Sequence, residues 1–306
     1  MRARVKALAE SVLSGGPPAW LARRRVRGRA LVLAYHGIVP DGAAVVGDRS
    51  LHLPQRAFAA QLDELARTCR VVPLEALLGD DGRPPASADD LPRVAITFDD
   101  AYHGTLTAGC EELARRGLPA TMFVTPAFLG GGTFWWDALE ALDRPGVRDE
   151  ALWRHHGRTE RVRVWAEAEG LGWRTVPPHA TAVAESLLHE AAARTPGLTL
   201  ASHTWSHPNL SALDPAELDE ELRRPLAWLR ERLPGVRPWI SYPYGLASSA
   251  VESAAARAGY TAAFRVDGGW WPRDGGANRF ALPRLNIPAG LSPRGFTLRL
   301  LGMQAR

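Results

Sequence analysis

From residue 30 onward, short apolar runs alternate with amphipathic stretches. Leu31-Val32-Leu33-Ala34-Tyr35 reads as a buried strand, because a continuous apolar run of this length suits a strand covered on both faces. Pro54 opens a helix in which Phe58, Leu62 and Leu65 recur at helical spacing. Val71-Val72 predicts a short strand, and Leu74, Leu77 and Leu78 a helical turn. Residues 79–92, rich in Gly, Pro and Asp, predict an exposed loop. Val94-Ala95-Ile96-Thr97-Phe98 is the clearest strand. A helix from about Leu106 to Arg116 follows, ended by Gly117 and Pro119. Further strands are expected at Ala120–Val124, Leu198–Ala201, Trp239–Tyr242, Ala262–Phe264 and Leu285–Ile287. Asp214, Pro215 and Glu217 supply a cap, a first-turn proline and a first-turn carboxylate for a helix that Pro225 is expected to kink or split.

About seven strand–helix units with apolar, non-alternating strands predict an α/β fold. Its parallel sheet is covered by helices and closes, or nearly closes, into a barrel. Residues 130–195 break the rhythm with Gly130-Gly131-Gly132, Phe134-Trp135-Trp136 and a polar, helix-leaning stretch. They predict a helical insertion carried on the barrel. The expected organisation is a basic arm at 1–29 and a barrel over 30–306, with the insertion at about 130–195.

Charge refines this picture at one end. Residues 1–29 carry eight Arg or Lys against Glu10, a net +7 in a chain whose total is +4, so the body is slightly acidic. Val5, Leu8, Val12 and Leu13 would share one face of a short helix there. Such a helix packs on the barrel or makes peripheral contact with an anionic membrane surface. The body has no basic stripe, so nucleic-acid binding is not expected. Only Cys69 and Cys110 are present, which excludes a disulfide scaffold and predicts buried thiols. No apolar run approaches the ~20 residues of a membrane-spanning helix, and none follows Arg2, Arg4 and Lys6 as a secretory signal would require. The expected location is cytoplasmic, with membrane association at the inner face as the variant the arm suggests.

The candidate chemistry lies after the strands. Asp99-Asp100 follow the strand 94–98; alone they could simply turn the chain and cap a helix. His203 and His207 follow the strand 198–201, a spacing that lets two imidazoles reach one ion. Pro208 restricts His207 to extended or turn geometry. In a parallel barrel the strand C-termini converge on one face, where Tyr35-His36-Gly37 and Tyr242-Pro243-Tyr244-Gly245 would join them. The constrained turn around Tyr244 could aim a backbone N–H at a developing oxyanion. Two histidines and one carboxylate leave coordination positions open, as a hydrolytic centre requires, and the same set suits non-haem iron. Trp135, Trp136, Trp205, Tyr242, Pro243, Trp270 and Trp271 are candidates to line a sugar groove, Trp205 foremost because it lies between the two histidines.

Thr97-Phe98-Asp99-Asp100, His203-Thr204-Trp205-Ser206-His207-Pro208 and Tyr242-Pro243-Tyr244-Gly245, in this order, resemble the three motifs of the polysaccharide deacetylases, the NodB-homology domains of carbohydrate esterase family 4. Tyr35-His36-Gly37 and Leu282-Pro283-Arg284-Leu285-Asn286 are similar to one bacterial branch associated with exopolysaccharide or glycolipid biosynthesis. The resemblance spans about residues 30–302. It implies a distorted (β/α) barrel of about seven strands and metal-dependent hydrolysis of N-acetyl groups on a polysaccharide, oligosaccharide or lipid-linked glycan. It also implies Asp99 as general base, and Asp100, His203 and His207 as ligands of a divalent ion, usually Zn2+, with Co2+, Ni2+ and Mn2+ as alternatives. The Tyr244 N–H would face the oxyanion.

Three departures are visible. Ser241 stands where the family often has an Arg that braces the catalytic Asp, and Arg284 is the expected substitute. The family's late Leu-x-His motif is absent after residue 285, which leaves His36 as the nearest residue to protonate the leaving amine. Ala101 replaces the usual Gly after the Asp pair. Competing readings are a glycan-binding module without turnover, a deformylase or deacetylase of a small amino-sugar conjugate, and an iron-dependent oxygenase.

Overall fold

Ala30–Tyr35 and Arg93–Phe98 are buried at every position, as strands covered on both faces must be. The computed structural model describes residues 10–14, 17–79, 91–272 and 277–303. In chain order the strands are β1 (Ala30–Tyr35), β2 (Gly37–Val39), β3 (His52–Pro54), β4 (Arg70–Val71), β5 (Arg93–Phe98), β6 (Ala120–Val124), β7 (Leu198–Ser202), β8 (Trp239–Ser241), β9 (Ala262–Phe264) and β10 (Leu285–Asn286). The main sheet runs β10-β1-β5-β6-β7-β8-β9, with β4 also on β5, and every pairing is parallel. Leu282 bridges to Phe264 of β9, and Leu285 and Asn286 pair with Leu33 and Ala34 of β1. Residues 282–286 thus span the seam between the last strand and the first, and the sheet curls into the expected distorted barrel.

Side chains alternate across this curled sheet. Leu31, Leu33, Tyr35, Val94, Ile96 and Phe98 pack outward under the helices, with Phe58, Leu62 and Leu113. Ala30, Val32, Ala95, Phe123, Ala201 and Phe264 fill the barrel interior. Continuing the alternation along β5 brings Thr97 and Asp99 to the inner face at the mouth.

The helix Pro215–Arg232 starts as expected, with Asp214 Oδ1 accepting from the Ala216 and Glu217 N–H groups. It is not split at Pro225. The ring at 225 frees the carbonyl of Glu221, and the Trp205 N–H donates to it at 3.2 Å, so the lost bond is replaced from the neighbouring loop. Buried Leu218, Leu222, Leu226 and Leu229 hold both halves against the barrel.

Residues 130–184 form short helices at Trp135–Ala138, Val147–Asp149 and Thr159–Ala168. Their own apolar cluster contains Phe134, Trp135, Trp136, Leu139, Val162 and Ala166. The helix Glu185–Arg194 instead sends Leu188 and Ala191 into the barrel's outer core. At the other end, the helix Pro17–Val26 buries Ala19, Ala22 and Val26 and exposes Trp20 and Leu21. Residues 1–9 of the expected arm, and 80–90 of the expected loop, lie outside the described residues. Cys69 and Cys110 are buried free thiols.

Candidate active site

The four loops after β1, β5, β7 and β8 meet at the barrel mouth. The last three are bent sharply: Asp100, Ala101, Thr204, His207 and Tyr244 all have φ between +53° and +72°. Left-handed backbone at non-glycine residues costs of order 1–3 kcal/mol each and persists where surrounding structure enforces it, commonly at functional sites. Glu221 enforces the β7 loop. Its Oε2 accepts from the Trp205 and Ser206 N–H groups, and its Oε1 from the Ser206 hydroxyl.

Asp100, His203 and His207 converge. His203 Nε2 lies 3.5 Å and His207 Nε2 3.4 Å from Asp100 Oδ1, and the two Nε2 atoms are 3.1 Å apart. The edge of a tetrahedron built with the usual zinc–nitrogen and zinc–oxygen bonds is about 3.3 Å. His203 Nδ1 meets the Ser241 carbonyl at 2.7 Å, so Nδ1 carries the proton and the Nε2 lone pair faces the cluster. Asp100 Oδ1 is buried with no hydrogen-bond partner among the described residues. A buried, unpartnered carboxylate oxygen beside two imidazole lone pairs is a donor set that fits a divalent cation. Burial, then Asp99 and Asp137, pushes the Asp100 carboxyl well up. Burial pushes His203 down, and burial and His203 push His207 further down. A cation between them would favour ionised Asp100 and neutral imidazoles.

Asp99 sits beside this group under a different influence. The fully buried Arg284 grips it with two hydrogen bonds, 2.8 Å to Oδ1 and 2.7 Å to Oδ2. The other Arg284 donors go to Thr97 Oγ1, Ser241 Oγ and the Arg265 carbonyl, at 3.0, 2.6 and 2.8 Å. All five guanidinium N–H groups are therefore used. Ser241 in turn donates to Asp99 Oδ2 at 3.2 Å. Burial alone would raise the Asp99 carboxyl; Arg284, then His203 and His36, more than reverse this and hold it well below the usual range. His36 Nε2 is 4.0 Å from Asp99 Oδ2, and burial lowers its pKa to about 4, so the imidazole is neutral at pH 7.

These groups open on a cavity of about 240 Å³, whose other walls include Trp135, Trp136, Tyr242, Tyr244, Arg148 and Asn286. Among the aromatic candidates, Trp135, Trp136 and Tyr242 reach this wall. Trp205 does not: the Arg224 guanidinium lies over its ring at 3.7 Å, against the helix Pro215–Arg232. Pro243 is buried in its turn, and Tyr242, Tyr244 and Gly245 around it border the cavity instead. Trp271 is buried in the barrel interior, and the Trp270 indole donates to the Leu300 carbonyl, away from the mouth. The sequence reading passed over Asp48, Ser50, Arg148 and Asn286 on the walls, and His52 and Asp137 behind them. Asn286 was within reach, since it follows Arg284 by two residues on the same face of the closing strand. Asp137 carries no local signal.

The fold and site are those of an α/β barrel whose curled parallel sheet gathers two carboxylates and two imidazoles at its strand ends. The polysaccharide deacetylase family profile matches residues 87–263, and the chain belongs to that family. It is an amidohydrolase of the kind that acts on carbon–nitrogen bonds. The chain is 22% identical to YxkH of Bacillus subtilis over 269 residues, covering 87% of this chain and 74% of that one. The fold is shared with the Streptococcus pyogenes deacetylase PplD (TM-score 0.59, 18% identity, 89% of this chain and 98% of that one). It is likewise shared with IcaB of Ammonifex degensii (TM-score 0.59, 17% identity, 90% and 98%).

Proposed function

We propose that the protein removes N-acetyl groups from an amino sugar of a polysaccharide, oligosaccharide or lipid-linked glycan, in exopolysaccharide or glycolipid biosynthesis. The observation that carries this is the pairing of an arginine-held Asp99 with the Asp100–His203–His207 cluster in one cavity. Asp100, His203 and His207 would hold a divalent ion, Zn2+ by preference. When bound, the ion supplies Lewis acidity and lowers the pKa of a water molecule.

Asp99 takes a proton from the attacking water as its oxygen bonds to the acetyl carbon. His36, neutral and 4.0 Å from Asp99 Oδ2, would take that proton through one bridging water and deliver it to the sugar nitrogen as the C–N bond breaks. The products are acetate and a free amine. The Tyr244 N–H, presented by the bend at 243–245, would share the negative charge of the tetrahedral intermediate. Trp136 and Tyr242 offer ring surface to the pyranose.

The test is acetate release from a panel of N-acetylated oligosaccharides and lipid-linked sugars by the metal-loaded protein, with Asp99→Asn as the control. Deacetylation that disappears in Asp99→Asn supports the reading. No acetate from any substrate while the ion stays bound would favour a glycan-binding module instead.

We further propose peripheral contact of the N-terminal arm with an anionic membrane surface, from a protein placed in the cytoplasm. Trp20 and Leu21, 56% and 52% exposed, stand beside Arg24 and Arg25 on the outward face of the helix Pro17–Val26. Among the described residues no helix is long and apolar enough to cross a membrane. Two buried free thiols suit a reducing compartment. Co-sedimentation with vesicles containing phosphatidylserine, weakened in Trp20→Ser/Leu21→Ser and absent with neutral vesicles, is the expected result. Equal partition of parent and variant would dismiss the contact.

A further inference from the structure

The insertion reaches the site through one short helix, Trp135–Ala138, and the side chain at its centre is a fully buried carboxylate. Asp137 Oδ1 takes the His52 Nε2 at 2.7 Å and the Asp48 N–H at 3.2 Å, and Oδ2 takes the Tyr102 hydroxyl at 2.6 Å. Three chain segments therefore meet on one carboxylate: the β2–β3 loop, the insertion, and the turn that carries Asp99 and Asp100. The packing leaves no slack. A Cβ on Gly37 would collide with the His52 ring, and a Cβ on Gly47 with Asp137.

The same unit touches a candidate metal ligand. Trp136 donates its indole N–H to the Tyr102 hydroxyl at 2.9 Å, and its ring lies 4.7 Å from the His207 imidazole. Phe134 and Tyr244 flank that imidazole at 5.9 and 4.7 Å. The two histidines differ in a telling way. His203 is oriented by the hydrogen bond from Nδ1 to the Ser241 carbonyl. His207 Nδ1 is buried with no hydrogen-bond partner among the described residues. Metal-binding histidines are ordinarily oriented through that second nitrogen. Here aromatic rings stand in its place, and one of the two nearest is locked by a hydrogen-bond chain running from Trp136 through Tyr102 to Asp137.

We infer that Tyr102 and Asp137 are positioning residues for the metal centre, fixing the His207 imidazole through the Trp136 ring. The inference rests on the reading of Asp100, His203 and His207 as metal ligands. It makes the insertion a working part of the ion site.

The experiment titrates Co2+ into the metal-free full-length protein, following the d–d spectrum and the dissociation constant. Mutation of such outer partners typically weakens metal binding about 10–100-fold, and that loss is expected for Tyr102→Phe and Asp137→Ala, with a changed spectrum. Asp137→Asn, which keeps one acceptor oxygen, should lose less than Asp137→Ala. Trp136→Phe retains a ring against His207 but not the indole N–H, and provides a second route should Tyr102→Phe fold poorly. Trp153→Ala, exposed in the same insertion, should bind as the parent does. Binding by Tyr102→Phe and Trp136→Phe within about two-fold of the parent, with an unchanged spectrum, overturns this inference alone. No saturable Co2+ binding by the parent, or equal binding by Asp100→Ala, overturns the metal reading and this inference with it.

Discussion

The guanidinium of Arg284 and the carboxylate of Asp99 form a two-point pair, at 2.8 and 2.7 Å, with neither partner open to solvent. A planar fork matched to a carboxylate fixes the orientation of Asp99 as well as its charge. Breaking such a pair from one side leaves a buried charge without a partner, at a cost of about 3–5 kcal/mol. Arg284→Ala should show that loss in urea denaturation and lower kcat by at least about 100-fold, the scale of one general base. Arg284→Lys, a single-point donor, should fall between. Turnover near the parent's in Arg284→Ala would show that Asp99 needs no brace.

Acid should weaken the metal-free protein in two stages. His36 stays neutral in the fold down to about 4, whereas an unfolded imidazole takes its proton near ~6.5, so unfolding binds a proton and stability falls as pH drops from about 6.5 to about 4. Asp99 ionises well below the usual range, so its contribution is complete above about pH 4 and drains away below that. Asp100, pushed up by burial and by Asp99, works in the opposite direction, so the diagnostic is a difference between two proteins. His36→Gln should show a flatter melting-temperature profile than the parent between pH 4 and 6.5. Parallel profiles would assign the upper stage to other groups.

Ion binding should be read in stability as well as in turnover. A ligand that binds only the folded state stabilises it by about 2.7 kcal/mol at one hundred times its dissociation constant. Zn2+ or Co2+ should therefore raise the melting temperature of the stripped protein, and a chelator should remove both the increment and the activity. In Asp100→Ala the increment should vanish. An undiminished shift in that variant would move the ion elsewhere on the protein.

Trp205→Ala should leave KM within about two-fold of the parent, because its ring is covered by Arg224 and not by substrate; the loss is the cation–π contact, about 0.5–1 kcal/mol of stability. A large rise in KM would return Trp205 to the sugar groove.

The barrel was legible because its strands are short, continuous apolar runs alternating with amphipathic helices, the pattern of a parallel sheet covered on both faces. The candidate ion site was legible because Asp100, His203 and His207 all lie in the loops that follow such runs, so topology brings them to one mouth. What stayed hidden depends on direction, not on position along the chain. Lying between two site histidines did not turn Trp205 toward the cavity, because the bend that aims His203 and His207 inward aims the residue between them outward. Pro225 promised a broken helix, but the compensating N–H comes from residue 205, a contact no local window contains. Asp137 follows two tryptophans in a polar stretch, and only the fold shows that three segments converge on it.

The clamp on Asp99 is delivered from the seam that joins β9 to β1, 185 positions downstream. The aim of Asp99 thus depends on the seam holding: loosening the pairing of Leu282 with Phe264, or of Leu285 with Leu33, would shift the guanidinium that grips it.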